Sequence, residues 1–352
     1  MKIIIASGIY PPDSGGPATY SQLIAREFND QEIKISLICY SDKYEENDKD
    51  EKFKTIRILR KQNTLKRYFN YFKNLLKLAK KADVIYAQGP LAAGLPAMLV
   101  AKILHKKFIV KIVGDYAWEQ YQNQSSGSDL IDEFQNKKYD WKTELRRKIQ
   151  RRVVNGANKV IVPSEYLKKI VIGWRINADK INVIYNAFKG VENVIPEQLE
   201  GDIIISAGRP EPWKGFNTLK EILPDLLKEN SNFKLMIETK MPHKELMARF
   251  KGSDIFVLNT GYEGLSHLLL EAMACGLPII TTNVCGNPEV IRNEENGLLI
   301  EYNNKQQLKN AILRLWKDEV LRKKFIENGY KTLEKFKLER MINETKKILC
   351  DF

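Results

Sequence analysis

The sequence predicts an α/β protein built from two doubly wound domains. Short runs of β-branched and other apolar residues recur along the chain, and segments with helical spacing of apolar residues separate them. Such runs are typical of parallel strands that helices cover on both faces. The length of 352 residues also suits two domains, at about 100–200 residues each.

Ten runs have the composition of buried strands. Six of them precede residue 187, and these are Lys2–Ala6, Lys34–Cys39, Thr55–Leu59, Asp83–Tyr86, Lys107–Val113 and Lys159–Val162. Four follow residue 201, and these are Asp202–Ser206, Phe233–Ile237, Asp254–Leu258 and Pro278–Thr281. Between the two groups the pattern lapses into a segment with glycine, proline and several acids, which indicates a domain boundary. We therefore predict one domain over residues 1–187, a second over 188–333 and a separate last helix over 334–352.

The composition excludes several classes of protein. The four cysteines are scattered and form no C-x-x-C pair, which argues against a zinc ribbon, a redox motif or a disulfide scaffold. The longest apolar stretch, Gly89 to Leu104, is interrupted by prolines and a lysine and is shorter than the ~20 residues that a membrane-spanning helix needs. These features predict a cytoplasmic location.

Positive charge is concentrated in two segments of the predicted first domain. The formal net charge is +13, and residues 52–82 contain eleven Lys and Arg residues without any Asp or Glu. This first basic segment, Lys52–Lys81, also contains an apolar stripe at helical spacing, formed by Leu65, Phe69, Phe72, Leu76 and Ala79. The second basic segment is Lys137–Arg152. The spacing predicts a basic amphipathic helix in the first segment.

Three interpretations of these basic segments compete. In the first, the apolar stripe packs on the sheet and the lysines are merely solvated. In the second, both segments meet anionic lipid headgroups, where each nearby Lys or Arg contributes roughly 1 kcal/mol. In the third, basic and aromatic side chains bind nucleic acid. Because no recognised nucleic-acid-binding signature accompanies the charge, we predict an anionic membrane surface rather than nucleic acid as the partner.

A glycine pair follows the first predicted strand. Gly15 and Gly16 stand just before a helical pattern that begins at Ala18. Glycines let backbone N–H groups approach an anion, and the positive end of a helix favours a phosphate. The pair is therefore a candidate phosphate site, with an ordinary strand-to-helix turn as the alternative, because no complete nucleotide-binding motif is met.

Two cations follow the first predicted strand of the second domain. Arg209 and Lys214 come after Asp202–Ser206, at the strand end where ligands of open α/β sheets bind. Two fixed cations in this position suit a diphosphate, and a pair of solvated loop residues is the alternative.

Two glutamates frame the next helix of the second domain. Glu263 follows a predicted strand, and Glu271 lies on an otherwise apolar helix over about Leu265 to Cys275. A buried carboxylate is costly without partners, so hydroxyl donors from a sugar or ribose account for Glu271 better than packing does. The start of this helix supplies further candidate binding residues for such a ligand, namely Gly264, Leu265, Ser266 and His267, with a purely structural role as the alternative for the histidine.

Taken together and in this order, these motifs resemble those of the retaining glycosyltransferases of the GT-B fold, glycosyltransferase family four. The resemblance is most specific in the E-x7-E element from Glu263 to Glu271 and in the G-R-x(4)-K-G-F pattern around Arg209 and Lys214. It implies two Rossmann-like domains that face a central cleft, with the acceptor bound by the first domain and a nucleotide-sugar bound by the second. It also implies that the last helix returns to the first domain, that the donor is a UDP- or GDP-sugar, and that no other cofactor is needed.

The resemblance further implies a role for each candidate residue. Arg209 and Lys214 would neutralise the diphosphate, Glu271 would bind the ribose hydroxyls, and Glu263 would hold the donor sugar. Gly15 and Gly16 would approach the phosphates, and Asn186 would lie beside them. Asp115 stands in the loop where the family often has a histidine, and it would contact the sugar or accept the acceptor's proton.

One departure from the family pattern concerns the base pocket, and one further motif is typical of the other large glycosyltransferase fold. Only one helix fits between Ile237 and Asp254, where relatives have an additional strand and helix, so we expect the residues Glu238, Thr239, Lys240 and Met241 to shape the nucleobase pocket. Asp48-Lys49-Asp50 matches a D-x-D metal motif, but it lies in a charged loop, so no metal requirement is predicted.

The function that follows is a cytoplasmic hexosyltransferase, peripheral on the inner face of the cell membrane. The resemblance implies retention of anomeric configuration, transfer to a lipid-linked or polysaccharide acceptor, and cell-envelope polysaccharide biosynthesis. The alternatives are a GT-B nucleotide-sugar epimerase and a non-enzymatic nucleic-acid-binding protein built on the first basic segment.

Overall fold

A computed structural model describes residues 1–13, 15–44, 46–124, 129–188, 190 and 193–351. The chain forms two compact units: unit 1 consists of residues 1–184 and 342–352, and unit 2 consists of residues 185–341. The division lies three residues before the predicted one. The chain re-enters unit 1 at residue 342 rather than 334, because Phe336 is buried in the core of unit 2.

In the described part of unit 1, seven parallel strands form one sheet. They are β1 (Lys2–Ser7), β2 (Lys34–Ser41), β3 (Lys54–Leu59), β4 (Val84–Gln88), β5 (Lys107–Lys111), β6 (Lys159–Val162) and β7 (Ile181–Val183), in the spatial order β3-β2-β1-β4-β5-β6-β7. Its helices are α1 (Gly16–Asp30), α2 (Thr64–Ala79), α3 (Gly94–Ile103), α4 (Tyr116–Gln124), α5 (Ile131–Asn136), α6 (Trp141–Asn155) and α7 (Glu165–Gly173).

In the described part of unit 2, five parallel strands form a second sheet. They are β8 (Asp202–Ala207), β9 (Phe233–Glu238), β10 (Ile255–Leu258), β11 (Ile279–Thr282) and β12 (Leu298–Ile300), in the order β12-β11-β10-β8-β9. Its helices are α8 (Phe216–Glu229), α9 (His243–Lys251), α10 (His267–Ala274), α11 (Asn287–Val290), α12 (Lys305–Lys317) and α13 (Glu319–Leu333), and α14 (Leu338–Cys350) follows them.

The predicted α/β class is confirmed, and each of the ten predicted strands is present. The strands β7 and β12 were not predicted, because each has only three residues, too few to show a periodicity. In each sheet the strand order reverses at one point, between β1 and β4 in unit 1 and between β8 and β10 in unit 2. Ligands of open α/β sheets bind at the carboxyl ends of the strands beside such a point.

Helix α2 buries the predicted apolar stripe only in part. Tyr71, Leu75 and Ala79 are its buried residues, and each is fully inaccessible to solvent. Leu65 and Phe69, which begin the predicted stripe, are 81% and 63% exposed. The apolar stripe therefore packs on the sheet only in the later turns of the helix.

From residue 342 onward, the last helix, α14, belongs to unit 1 and packs over a buried polar cluster. The hydroxyl of Thr345 lies 3.2 Å from that of Tyr20, which shares a 2.9 Å hydrogen bond with the hydroxyl of Tyr86. The Lys111 ammonium lies 3.4 Å from the centre of the Tyr20 ring, and burial lowers the pKa of this lysine to about 7. None of the helices in the described residues has the length and apolar character that a transmembrane span requires.

Candidate active site

The loop from β8 to α8 holds one lysine in a fixed position in unit 2. Lys214 ends a single 3-10 turn over Pro212–Lys214 and is 8% exposed. The next residue, Gly215, has a φ of +57°, and a Cβ there would lie 2.2 Å from the carbonyl oxygen of Asn259. Only glycine fits this close approach, which brings the β8 loop against the segment that follows β10.

Hydrogen bonds join these two loops. The amide of Gly261 donates to the carbonyl of Trp213 at 2.7 Å, and the Asn259 side-chain amide donates to the carbonyl of Gly215 at 3.1 Å. The hydroxyl of Thr282, at the end of β11, donates to the carbonyl of Thr260 at 2.6 Å. The carboxyl ends of β8, β10 and β11 are thus tied together in one rigid edge.

An ion pair lies at this edge, beside the point where the strand order of unit 2 reverses. The Lys214 ammonium bonds the Glu263 carboxylate, and their side chains are only 10% and 15% exposed. A lysine that is fixed but not fully enclosed can accept a diphosphate, and its neighbouring carboxylate can accept bonds from hydroxyls.

The start of α10 lies directly after Glu263. Gly264, Leu265 and Ser266 are buried, and His267 is the first residue of the helix. The side chain of Ser266, at the N-cap, makes no hydrogen bond to the helix, so it does not cap the amides of the first turn. Such amides are the donors that helices offer to phosphates.

Glu271, on the second turn of α10, has a partner that the sequence analysis did not identify. Its Oε1 lies 3.0 Å from Nε2 of His243, the first residue of α9. As predicted, α9 is the single helix between β9 and β10, and this short connection brings His243 to α10. Of the four residues expected to shape a base pocket, Glu238 is engaged elsewhere, in a 2.6 Å ion pair with Arg249.

Two other candidates in unit 2 are placed differently from Lys214. The side chain of Arg209 is 72% exposed, and its guanidinium lies 3.5 Å from Glu211. Asn186, by contrast, is 7% exposed. The edge therefore combines a fixed cation, Lys214, with an arginine whose side chain extends into solvent.

In unit 1, the predicted glycine pair lies at the point where the strand order reverses. Gly15 follows β1, has a φ of +146° and caps α1, and Gly16 is the first residue of that helix. A Cβ at Gly16 would have no described atom within 4 Å, so the space beside Gly16 is open, whereas a Cβ at Gly15 would lie 3.0 Å from Cδ1 of Ile9.

Asp115, which was predicted to contact the sugar or accept the acceptor's proton, has a structural role in unit 1. Its Oδ1 accepts hydrogen bonds from the amides of Ala117 and Trp118 at 3.0 and 3.1 Å and from Gln150 at 3.1 Å. Its Oδ2 accepts a 2.8 Å bond from Gln135. With no exposed surface and four donors, the carboxylate caps α4 and is not open to a substrate.

Two other potentially reactive groups, the Asp48 carboxylate and the Cys275 thiol, are held in structural environments. Asp48, from the D-x-D match, forms a two-pronged ion pair with Arg57 at 2.6 and 2.8 Å. No cluster of three or more potential metal ligands occurs in the described residues. Near Glu271, burial raises the pKa of the Cys275 thiol to about 12, so this cysteine stays protonated near neutral pH.

Comparison with known families identifies the chain. The model of Glycosyltransferase Family 4 matches residues 14–189, and the model of glycosyl transferases group 1 matches residues 239–332, which contain the E-x7-E element. The chain belongs to the family-4 glycosyltransferases. Its two sheets and their flanking helices have the GT-B architecture that the resemblance implied.

Individual relatives of this glycosyltransferase are distant. An uncharacterized glycosyltransferase of Methanocaldococcus jannaschii is 25% identical over 99% of this chain and 97% of its own length. The UDP-Gal:alpha-D-GlcNAc-diphosphoundecaprenol alpha-1,3-galactosyltransferase of Escherichia coli is 35% identical over 29% of this chain and 26% of its own. The solved structure of Anabaena HepE in complex with UDP-glucose aligns with this chain with a TM-score of 0.76 at 16% identity. The alignment covers 100% of each chain.

Proposed function

We propose that this glycosyltransferase binds a UDP- or GDP-sugar on unit 2 and transfers the sugar with retention of anomeric configuration. The observation that carries this proposal is the Lys214–Glu263 pair, placed at the reversal point of the unit 2 sheet beside the start of α10. Cation, carboxylate and helix start lie where open α/β sheets bind nucleotides. The UDP-glucose bound by the Anabaena protein of the same fold supports this class of donor.

The proposed reaction requires stabilisation of a departing diphosphate. Cleavage of the sugar–phosphate bond places positive charge on the anomeric carbon and negative charge on the leaving oxygen. Lys214 and the first amides of α10 are preorganised for that negative charge. Arg209 adds a second cation, because its exposed 3.5 Å pair with Glu211 is weak and a diphosphate would displace it.

Retention follows from attack on the face that the leaving group vacates, which needs no protein nucleophile. In this proposal Glu263 accepts hydrogen bonds from hydroxyls of the donor sugar while Lys214 holds its carboxylate in place. Because two cations and a helix start provide the positive charge, we expect the reaction to proceed without added metal.

The acceptor in this proposal is a lipid-linked or polysaccharide molecule bound by unit 1. The Escherichia coli relative acts, by its name, on a sugar linked to diphosphoundecaprenol. The helix start at Gly15 and Gly16, with open space beside Gly16, is suited to a phosphate group of such a molecule. Cell-envelope polysaccharide biosynthesis is the role that fits this acceptor class.

A donor panel tests the proposal. We incubate the enzyme in EDTA with UDP- and GDP-sugars, with or without a diphosphoundecaprenol-linked sugar as the acceptor. One of the donors is expected to release free nucleotide, and only in the presence of the acceptor. Nuclear magnetic resonance of the product is expected to show the donor's anomeric configuration. Donor loss without acceptor, with a new sugar epimer as product, would select the epimerase instead, and failure of every donor to bind or react would reject the proposal.

We further propose that unit 1 meets the inner face of the cell membrane through an apolar–basic surface. This surface consists of the exposed residues Leu65, Lys66, Phe69, Trp141, Lys142 and Leu145, at the starts of α2 and α6. Trp141 is 71% exposed, and tryptophan is a residue that membrane–water interfaces favour. The net charge of +13 suits an anionic leaflet.

Helix α3 packs against both α2 and α6, so these two helices are near neighbours in unit 1. The two basic segments of the sequence contribute to a single lipid-binding surface in this proposal.

Vesicle sedimentation tests this surface. We expect Leu65→Ser with Phe69→Ser to weaken binding to phosphatidylglycerol-containing vesicles by roughly tenfold, because fewer apolar side chains enter the headgroup region. Val320→Ser in unit 2, where the valine is 80% exposed, is the matched control and is expected to bind like the wild type. Equal binding to neutral and anionic vesicles, or insensitivity to salt, would contradict the proposal.

A further inference from the structure

The contact between α9 and Glu271 adds a residue to the donor site. We infer that His243 is a positioning residue, which orients the Glu271 carboxylate toward the ribose hydroxyls of the donor. The inference rests on the proposed function and deepens it, because it concerns the nucleoside end of the same donor. It is drawn from the 3.0 Å distance between His243 Nε2 and Glu271 Oε1.

Hydrogen-bond chemistry fixes the direction of this contact. An ionised carboxylate only accepts hydrogen bonds. Nε2 of His243 must therefore carry a hydrogen atom and donate a hydrogen bond to Oε1. The second carboxylate oxygen, Oε2, stays available for hydroxyl donors. A ribose offers two adjacent hydroxyls, and a carboxylate whose orientation is already set binds them with a smaller loss of side-chain entropy.

The high exposure of the His243 side chain favours a positioning role for this residue over a role in stabilising unit 2. The Glu271 side chain is 15% exposed and projects from a helix whose neighbouring residues, Leu270 and Ala272, are fully buried. The His243 side chain is 59% exposed. Exposed pairs contribute little to stability, so loss of the imidazole is expected to change the orientation of Glu271 more than the stability of unit 2.

The short connection between β9 and β10 explains why this chain can use a histidine here. After β9 ends at Glu238, only residues 239–242 precede α9. The first residue of α9 therefore lies beside α10, and its imidazole reaches across to the second turn of that helix.

Nucleotide binding by calorimetry provides the test, with UDP, GDP and their 2′,3′-dideoxy forms as probes. We expect His243→Ala to weaken binding of the preferred ribonucleotide about tenfold, which corresponds to about 1.4 kcal/mol. His243→Gln, whose side-chain amide retains a donor, is expected to recover most of that loss. Neither variant is expected to change binding of the dideoxy form, which has no hydroxyl for Glu271 to bind.

Steady-state kinetics and two controls complete the design. His243→Ala is expected to raise the KM for the donor while kcat at saturating donor stays near that of the wild type. Glu245→Gln, on the same helix turn, controls for nonspecific effects at the start of α9, and Glu271→Ala provides the reference for complete loss of the ribose contact. Thermal unfolding checks that each variant is folded.

The outcomes separate this inference from the proposed function. If the wild type binds neither UDP nor GDP, the proposed function is wrong. If the wild type binds and Glu271→Ala weakens binding, but His243→Ala behaves like the wild type, the proposed function stands and the positioning role is overturned. The positioning role is also overturned if His243→Ala weakens binding of the ribonucleotide and binding of its dideoxy form equally. If His243→Ala does not fold, His243→Phe, whose ring has no hydrogen-bond donor, takes its place in the same comparison with His243→Gln and the wild type.

Discussion

Lys214→Met is expected to lower kcat by roughly 10²–10³-fold, the effect of removing about 2.7–4 kcal/mol of stabilisation from a developing negative charge. Lys214 is 8% exposed and ends the turn that Gly215 follows, so its side chain is held in one position. Methionine preserves most of the length and apolar character of the lysine stem. Initial rates of nucleotide release at saturating donor and acceptor measure the effect.

The control for this prediction is a surface lysine that, like Lys214, forms an ion pair with one carboxylate. Lys228 bonds Asp225, and its side chain is 75% exposed, so Lys228→Met removes the same charge without touching the candidate site. This control is expected to retain wild-type kcat. If Lys228→Met loses as much activity as Lys214→Met, the loss reflects net charge and the catalytic role of Lys214 is wrong.

A double substitution sharpens the same experiment. Lys214 and Glu263 are bonded to each other, so their contributions are coupled. Glu263→Gln in the Lys214→Met background is therefore expected to cost less than it does alone. Independent effects, which would multiply, would indicate that the pair does not act as a unit on the donor.

The architecture could be predicted from sequence because buried parallel strands leave a local signal. Apolar runs such as Lys159–Val162 in β6 match the structure to the residue. Strands β7 and β12 lie at sheet edges and leave no such signal, since three residues are too few to show one. The edge strands β3 and β9, with six residues each, were predicted, so strand length rather than position in the sheet decides whether the local pattern is visible.

The candidate site was predictable to the extent that its residues follow strand ends. Lys214 and Glu263 were each predicted to follow a strand end, and the carboxyl ends of parallel strands meet at one edge, but the ion pair between them was not predicted. The contact of His243 with Glu271 left no sequence signal, since it joins two helices 28 residues apart and depends on how α9 packs. Asp115 did carry a signal, because an aspartate directly before a helix is a preferred N-cap, and its structural role follows from that preference.

Helix α2 shows why a stripe of apolar residues does not identify a buried face. Leu65 and Phe69 continue the spacing of Phe72 and Leu76, yet the first two are exposed and the last two are partly buried against the core. Spacing along a helix reports which side chains share a face. How far that face is covered depends on the neighbouring elements, and the first turns of α2 are left uncovered.

Gly215→Ala is expected to disrupt unit 2 itself, because the residue lies where two constraints coincide. A φ of +57° is unfavourable for alanine, and its Cβ would lie 2.2 Å from the carbonyl oxygen of Asn259. Asn259 cannot simply move, since its side chain also bonds Asn303 at 3.0 Å. We expect the free energy of unfolding to fall by roughly 2–4 kcal/mol and the unfolding temperature to fall by about 5–10 °C, both measured by calorimetry.

Gly173→Ala is the matched control, because a Cβ there meets no atom within 4 Å. An equal fall in the unfolding temperature of that variant would show that the β8 loop has no special constraint. Since Gly215 fixes the position of Lys214, the Gly215→Ala protein that remains folded is also expected to lose activity, which would link the backbone constraint to the candidate site.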